Sequence, residues 1–253
     1  MRRFLLILLM MLPLPAVAQD LAEIALPGGR SYLFARPAGR EPAPVIIALH
    51  GGGGSPRQFA RNSGLVRAAT GAGFAIALPA GTGRLATWNA GYCCGAAERQ
   101  AVDDLAFLDA VARDALTRAG GGAKVFVTGM SNGAMMAQTW AAQRPGLVAA
   151  VASVSGTMDA AHIRVAGRVP ILHIHGTADP MVPFDGGPGQ GMATGRIDLA
   201  PVAEVLADFR APFGPLAGRH DTLPGGVERT RWTSGGKVAV ELLVLPGGGH
   251  EWP

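Results

Sequence analysis

This chain has little cysteine, few aromatic residues and few charges, and each shortage narrows what it can be. Only two cysteines occur in 253 residues, and they are neighbours, Cys93 and Cys94. Two adjacent thiols leave a tetrahedral metal ion short of ligands, so the cysteines cannot form a metal site alone. Charged residues make up 16% of the chain and the formal net charge is +4, half of it from Arg2 and Arg3. No Lys/Arg run and no basic stripe with interleaved aromatics occurs, which leaves the phosphate-binding part of nucleic-acid affinity without a source. No nucleic-acid partner is expected. A Pro/Ser/Thr-rich linker and a fixed-period repeat are also missing, which favours one domain.

What the chain does have is apolar residues, 49% of the total, enough for a large buried core. The first of them stand apart. Arg2-Arg3, the apolar run Phe4 to Leu12 and the small-residue site Ala16-Val17-Ala18 read as a secretory signal over residues 1–18, cleaved before Gln19. The run is too short to span a bilayer comfortably, so no stable membrane anchor is expected, and the mature chain, residues 19–253, is expected to be secreted or periplasmic.

After it, β-type runs alternate with helical ones. Strands are expected at Ser31–Phe34, Pro44–Leu49, Phe74–Leu78, Val125–Thr128, Val148–Val154, Ile171–Ile174 and Val238–Leu245. Helices are expected at Pro56–Thr70, Val102–Ala119, Ala134–Gln143 and Pro201–Phe209, the second with Asp103 and Asp104 favouring its dipole from the first turn. Apolar strands without polar alternation, separated by helices, indicate a mostly parallel sheet covered on both faces. The fold class is α/β. The Gly-rich stretch 185–195 reads as a surface loop.

Within this pattern, Gly129-Met130-Ser131-Asn132-Gly133 lies between a strand and a helix and fits G-x-S-x-G. That turn is so tight that the serine takes a strained backbone, and glycines flank it because side chains there would collide. The hydroxyl is lifted to a helix N-terminus, where unpaired amides favour an oxyanion. A serine hydroxyl needs a base, and the base an orienting carboxylate. On such a scaffold the order is Ser, then Asp or Glu, then His, each after a later strand. Asp179 and His250 occupy those positions, with Asp185 as the rival acid. His173 and His175 lie within a strand and read as core or supporting residues, while His162 and His220 lack a strand-end setting. A second oxyanion donor beside the Asn132 amide is expected from His50-Gly51-Gly52-Gly53-Gly54, with Gly52 preferred over Gly51.

The segments HGGGGSP, WNAGYCC, VDDLAFL, VTGMSNGAMMA, HGTADPMVPF and GGGHEWP, in this order, resemble the secreted polyhydroxybutyrate depolymerase and feruloyl esterase family of α/β-hydrolases, which includes acetyl xylan esterases. The resemblance covers nearly the whole mature chain. It implies Ser131, Asp179 and His250 as a triad, and Trp88 and Trp252 as walls of the acyl or alcohol pocket. It also implies an ester substrate: feruloylated or acetylated polysaccharide fragments, or hydroxyalkanoate oligomers. Soluble esters are favoured because no surface-binding domain is evident, and no metal or organic cofactor is called for. Relatives continue past His-x-Trp-Pro into a closing helix, so either that helix is absent or the sequence is truncated at Pro253. A peptidase on the same scaffold and a catalytically dead hydrolase-fold binding protein are the competing readings. In an oxidising compartment, Cys93 and Cys94 are either free thiols or a vicinal disulfide that stiffens the loop after Trp88.

Overall fold

The computed structural model describes residues 21–122, 124–191 and 197–253. The leader read at 1–18 lies outside the described residues, as do 192–196 of the Gly-rich stretch. In chain order the elements are β1 (Ala22–Ala25), β2 (Ser31–Ala35), β3 (Val45–Leu49), α1 (Pro56–Ser63), α2 (Leu65–Gly71), β4 (Ala75–Pro79), α3 (Gly95–Arg99), α4 (Asp104–Arg118), β5 (Val125–Met130), α5 (Asn132–Gln143), β6 (Val148–Val154), β7 (Ile171–Gly176), β8 (Gly187–Pro188), β9 (Asp198–Leu199), α6 (Val202–Arg210), β10 (Ala217–Thr222), β11 (Glu228–Ser234) and β12 (Lys237–Leu245).

Ten strands form one sheet in the order β1-β2-β4-β3-β5-β6-β7-β12-β11-β10. From β4 to β12 the pairings are parallel, and both edges are antiparallel. The parallel strands are the apolar β-branched runs such as Val45-Ile-Ile-Ala-Leu49, which suit a surface buried on both sides. The polar hairpin β10–β11 escaped the sequence reading because it carries no apolar alternation; one side of it is solvated.

One face of the sheet is covered by α4, α5 and α6. Helix α5 is buried all round, from Asn132 to Ala142, which is why it carries almost no charge. Asp103 caps α4 by accepting from the Ala106 amide at 2.9 Å. Asp104 does more than favour the dipole. It is buried, 2.6 Å from Arg30 Nη1, and accepts from the Asn89 amide at 2.7 Å. The other face carries α1 and α2 over β2, β3 and β4. The single helix expected at 56–70 is broken into these two at Gly64, whose φ of 67° ends one helix and starts the next. Beyond them the same face bears an apolar groove of about 480 Å³ running past Ile46, Phe126, Ile174 and Trp252.

The site follows from this topology. Ser131 follows β5, Asp179 follows β7, His250 follows β12, and loop 50–54 follows β3. All four lie at carboxyl ends of neighbouring parallel strands, where such sheets gather ligands.

Candidate active site

Ser131 sits between β5 and α5 with φ 56° and ψ −128°, a strained backbone for a residue with a side chain. The turn is enforced sterically. A Cβ on Gly129 would overlap the Gly133 carbonyl, and one on Gly133 would overlap the carbonyls of Leu49 and His50. Ser131 precedes the first helical residue, yet its side chain makes no capping hydrogen bond. The hydroxyl is left for other chemistry.

Loop 50–54 packs against this elbow. A Cβ built on Gly51 would lie 3.4 Å from Ser131 Cβ, and one on Gly52 3.6 Å from Asn132 Cβ. Among the described residues, neither the Gly52 amide nor the Asn132 amide donates to another protein group. These are the two donors expected for an oxyanion.

Trp88 does not line the cavity, contrary to the sequence expectation. It is fully buried, because its backbone and indole are both engaged in holding the site. The Trp88 amide donates to Asn132 Oδ1 at 2.8 Å, and Asn132 Nδ2 donates back to the Trp88 carbonyl at 3.0 Å. Indole Nε1 donates to the His50 carbonyl at 2.9 Å. Trp88 therefore clamps the elbow to the loop opposite it. The His50 ring completes the clamp, donating from Nδ1 to the Gly51 carbonyl at 2.8 Å and accepting from the Gly81 amide at Nε2. Burial pushes the His50 pKa down, opposed by the Gly51 carbonyl, so the ring is neutral. Nothing in the sequence distinguished an indole that braces the site from one that walls it. Cys93 and Cys94, both buried and with adjacent sulfurs, continue the same loop; the Cys94 amide donates to the Trp88 carbonyl at 3.0 Å.

On the other side, His250 Nδ1 donates to Asp179 Oδ2 at 2.8 Å. Asp179 Oδ1 accepts from the amides of Met181 and Val182 at 2.8 and 2.9 Å. Burial pushes this carboxyl up, but hydrogen bonds from His175, His250 and the Val182 amide outweigh it and hold the group well below the usual carboxylate range. Asp179 is thus an anion that fixes His250 with Nε2 free. Asp185 is exposed and makes no hydrogen bond to His250. His162 pairs with Asp159 on the surface, and His220 faces Thr230 on the exposed edge.

Ser131 and His250 line one cavity of about 410 Å³, together with loop 50–54, Gln58, Asn62 and Trp252. Trp252, which also lines this cavity, meets Phe59 edge to face at 5.2 Å. Among the described residues, no Lys, Arg, Asp or Glu lines this cavity. A raised serine, a histidine held on a buried carboxylate and two unpaired amides can carry out acyl transfer to and from a hydroxyl.

Known proteins point the same way. Residues 107–188 match the family model described as Phospholipase/Carboxylesterase. NocK of Nocardia uniformis subsp. tsuyamanensis, described as an esterase, is 35% identical over 238 residues, covering 86% of this chain and 67% of the relative. Feruloyl esterase B of Piromyces equi is 26% identical over 220 residues, covering 84% of this chain but 40% of its own length. In fold the chain is similar to the acetyl xylan esterase from Aspergillus awamori, with a TM-score of 0.68 at 18% identity, covering 91% of this chain and 94% of that one. The likeness to NocK along two thirds of that relative, joined to the sheet order and the helix-bounded serine turn, means that the chain belongs to the esterases of the α/β-hydrolase family and is a carboxylic ester hydrolase.

Proposed function

We propose that this protein is an exported serine esterase that works through a Ser131–His250–Asp179 triad and an acyl-enzyme. The observation that carries the reading is the 2.8 Å bond from His250 to a buried Asp179, with the strained Ser131 on the same cavity. His250 Nε2 takes the proton of the Ser131 hydroxyl as its oxygen attacks the ester carbonyl, and Asp179 holds the imidazole in the required tautomer. The amides of Asn132 and Gly52 receive the tetrahedral oxyanion. His250 protonates the leaving alcohol, and water repeats the cycle on the acyl group.

The cavity favours neutral esters, since none of the described residues lining it is a Lys, Arg, Asp or Glu. Feruloyl esters and acetyl xylan, which the relatives' names state, are of a type that fits such a lining, as are feruloylated or acetylated polysaccharide fragments and short hydroxyalkanoates. A hydrolysis panel of methyl ferulate, acetylated xylan, hydroxybutyrate oligomers and p-nitrophenyl esters of rising chain length tests this. Turnover of at least one class that persists in chelator and is abolished by a serine-directed organophosphate is expected. Loss of activity on chelation, restored by a divalent ion, contradicts the scheme. Export rests on the N-terminal sequence and predicts a mature protein beginning at Gln19, which N-terminal sequencing of the periplasmic or secreted protein decides.

A further inference from the structure

Three buried polar side chains stand behind the site with no part in the scheme above: Gln138, His173 and His175. All three are at most 1% exposed. Burying such groups is costly unless every donor and acceptor is paired, and here the pairs form a line. Gln138 lies on α5, seven residues after Ser131 and so on the same side of the helix. Its Oε1 accepts from the Met158 amide at 2.7 Å and its Nε2 donates to the Gly156 carbonyl at 2.8 Å, which fixes the amide's orientation. That same Nε2 also lies beside Ser153 Oγ and 3.2 Å from His173 Nδ1. His173 Nε2 is 2.9 Å from His175 Nδ1, and His175 Nε2 is 2.8 Å from the Val182 carbonyl and 3.4 Å from Asp179 Oδ2.

The protons along this line follow from its two ends. An amide nitrogen only donates, so His173 Nδ1 is an acceptor and its proton sits on Nε2. His175 Nδ1 then accepts, which places the His175 proton on Nε2. The far end demands the same, because the Val182 carbonyl only accepts. A proton on both nitrogens of either ring would set two N–H groups against each other, so both rings are neutral. Burial lowers the His173 pKa well below its ordinary value, and the neighbouring His175 adds to that. The ionisable groups in contact with His175 are His173 and Asp179, and Asp179 meets His250 on the same Oδ2. The remaining ring neighbour is Phe184, edge-on at 5.7 Å.

We infer that Gln138, His173 and His175 are positioning residues: a neutral, one-way hydrogen-bond chain that ties the serine's helix to the acid loop at the Val182 carbonyl and sets the same His175 N–H 3.4 Å from the Asp179 oxygen used by His250. This rests on the proposed triad. The consequence for catalysis is electrostatic as well as geometric. The positive end of that N–H beside Oδ2 stabilises the carboxylate's charge and so tempers its pull on a protonated imidazole; removing it strengthens that pull.

Two experiments test it. The first needs no variant: histidine ¹⁵N NMR of the whole protein at neutral pH should show His173 and His175 as Nε2–H tautomers, with His173 staying neutral down to about pH 5, below the ordinary imidazole value. A charged ring, or an Nδ1–H tautomer at either position, overturns the chain. The second compares His175→Leu, which removes the donor, with His175→Gln, which keeps an N–H in the same place. With a p-nitrophenyl ester, His175→Leu should move the acidic limb of kcat/KM up by about half a pH unit or more, with kcat falling roughly tenfold and KM nearly unchanged. His175→Gln should leave the limb at its wild-type position. A folded His175→Leu with an unmoved limb, or identical behaviour of the two variants, overturns the inference. If His175→Leu does not fold, the NMR result alone decides. If the wild type hydrolyses no ester, the proposed function fails while the NMR result still decides this inference.

Discussion

The two halves of the site are held in place by different physics. On the elbow side, position is set by backbone contact: Gly129 and Gly133 have no room for a methyl group, and Ser131 is forced to positive φ between them. On the acid–base side, Asp179 and His250 sit on loops after β7 and β12, and their directions are set by hydrogen bonds, with three donors converging on one carboxylate and the His175 N–H close by. Gly176 is the exception there, since a Cβ on it would overlap the Gly248 carbonyl and push the two loops apart. The contrast teaches that the nucleophile's position is all-or-none, whereas the acid and base can be tuned and respond to pH.

The comparison breaks most completely if the two halves do not act as one unit. Ser131→Ala and His250→Ala should each lower ester turnover by several orders of magnitude, and the double variant should be barely worse than either, measured as kcat on one ester. Additive losses would mean independent roles. Asp179→Asn should be severe in kcat with substrate binding nearly intact, since the carboxylate orients the imidazole and does not meet the ester; a larger loss from Asp185→Asn would reassign the acid.

The steric side is sharpened by glycine substitutions. Gly133→Ala must displace backbone carbonyls and should cost about 3 kcal/mol or more, a Tm fall of roughly 6–12 °C by calorimetry. Gly249→Ala on the acid–base side meets open space and should change Tm by less than about 2 °C. Equal effects would erase the distinction.

The brace between loop and elbow is a smaller matter. Trp88→Phe keeps the ring but leaves the His50 carbonyl without its donor. Stability should fall by about 1 to about 2 kcal/mol in urea titration, and kcat roughly tenfold. An unchanged kcat would make Trp88 mere packing.

The pH response separates the buried histidines from the acid. Burial lowers the folded-state pKa of His173 and His50, so near pH 6 the unfolded chain binds protons that the folded one does not. Their contribution is present above the ordinary imidazole value near 6.5 and is lost as pH falls, at up to about 1.4 kcal/mol per unit for each group. Asp179, also depressed, loses its contribution only below the ordinary carboxylate value near 4. Stability in urea should therefore decline from about pH 7 to 5 and more steeply below 4. A flat profile between 7 and 5 would contradict neutral buried histidines.

How much of this was legible in the sequence follows the same division. Parallel strands were readable because burial on both faces demands unbroken apolar runs, and Ser131, Asp179 and His250 because strand ends in Gly-rich turns mark positions in one dimension. The break at Gly64 was hidden inside a helical period, and β10–β11 in a polar stretch. Trp88 and the line from Gln138 to His175 were not legible, since a residue's partners 15 to 44 positions away depend on packing that no local pattern encodes. His173 and His175 were read as core or supporting residues, which their burial bears out, but the direction of their hydrogen bonds needed three dimensions.

The central claim is that Ser131 is a nucleophile made reactive by a histidine held on a buried carboxylate. Labelling with a fluorophosphonate probe followed by peptide mapping tests it most directly. An adduct is expected on the Ser131 peptide of the wild type, with labelling slower by about a hundredfold or more in His250→Ala. An adduct elsewhere, none at Ser131, or equal labelling of the two proteins would contradict it.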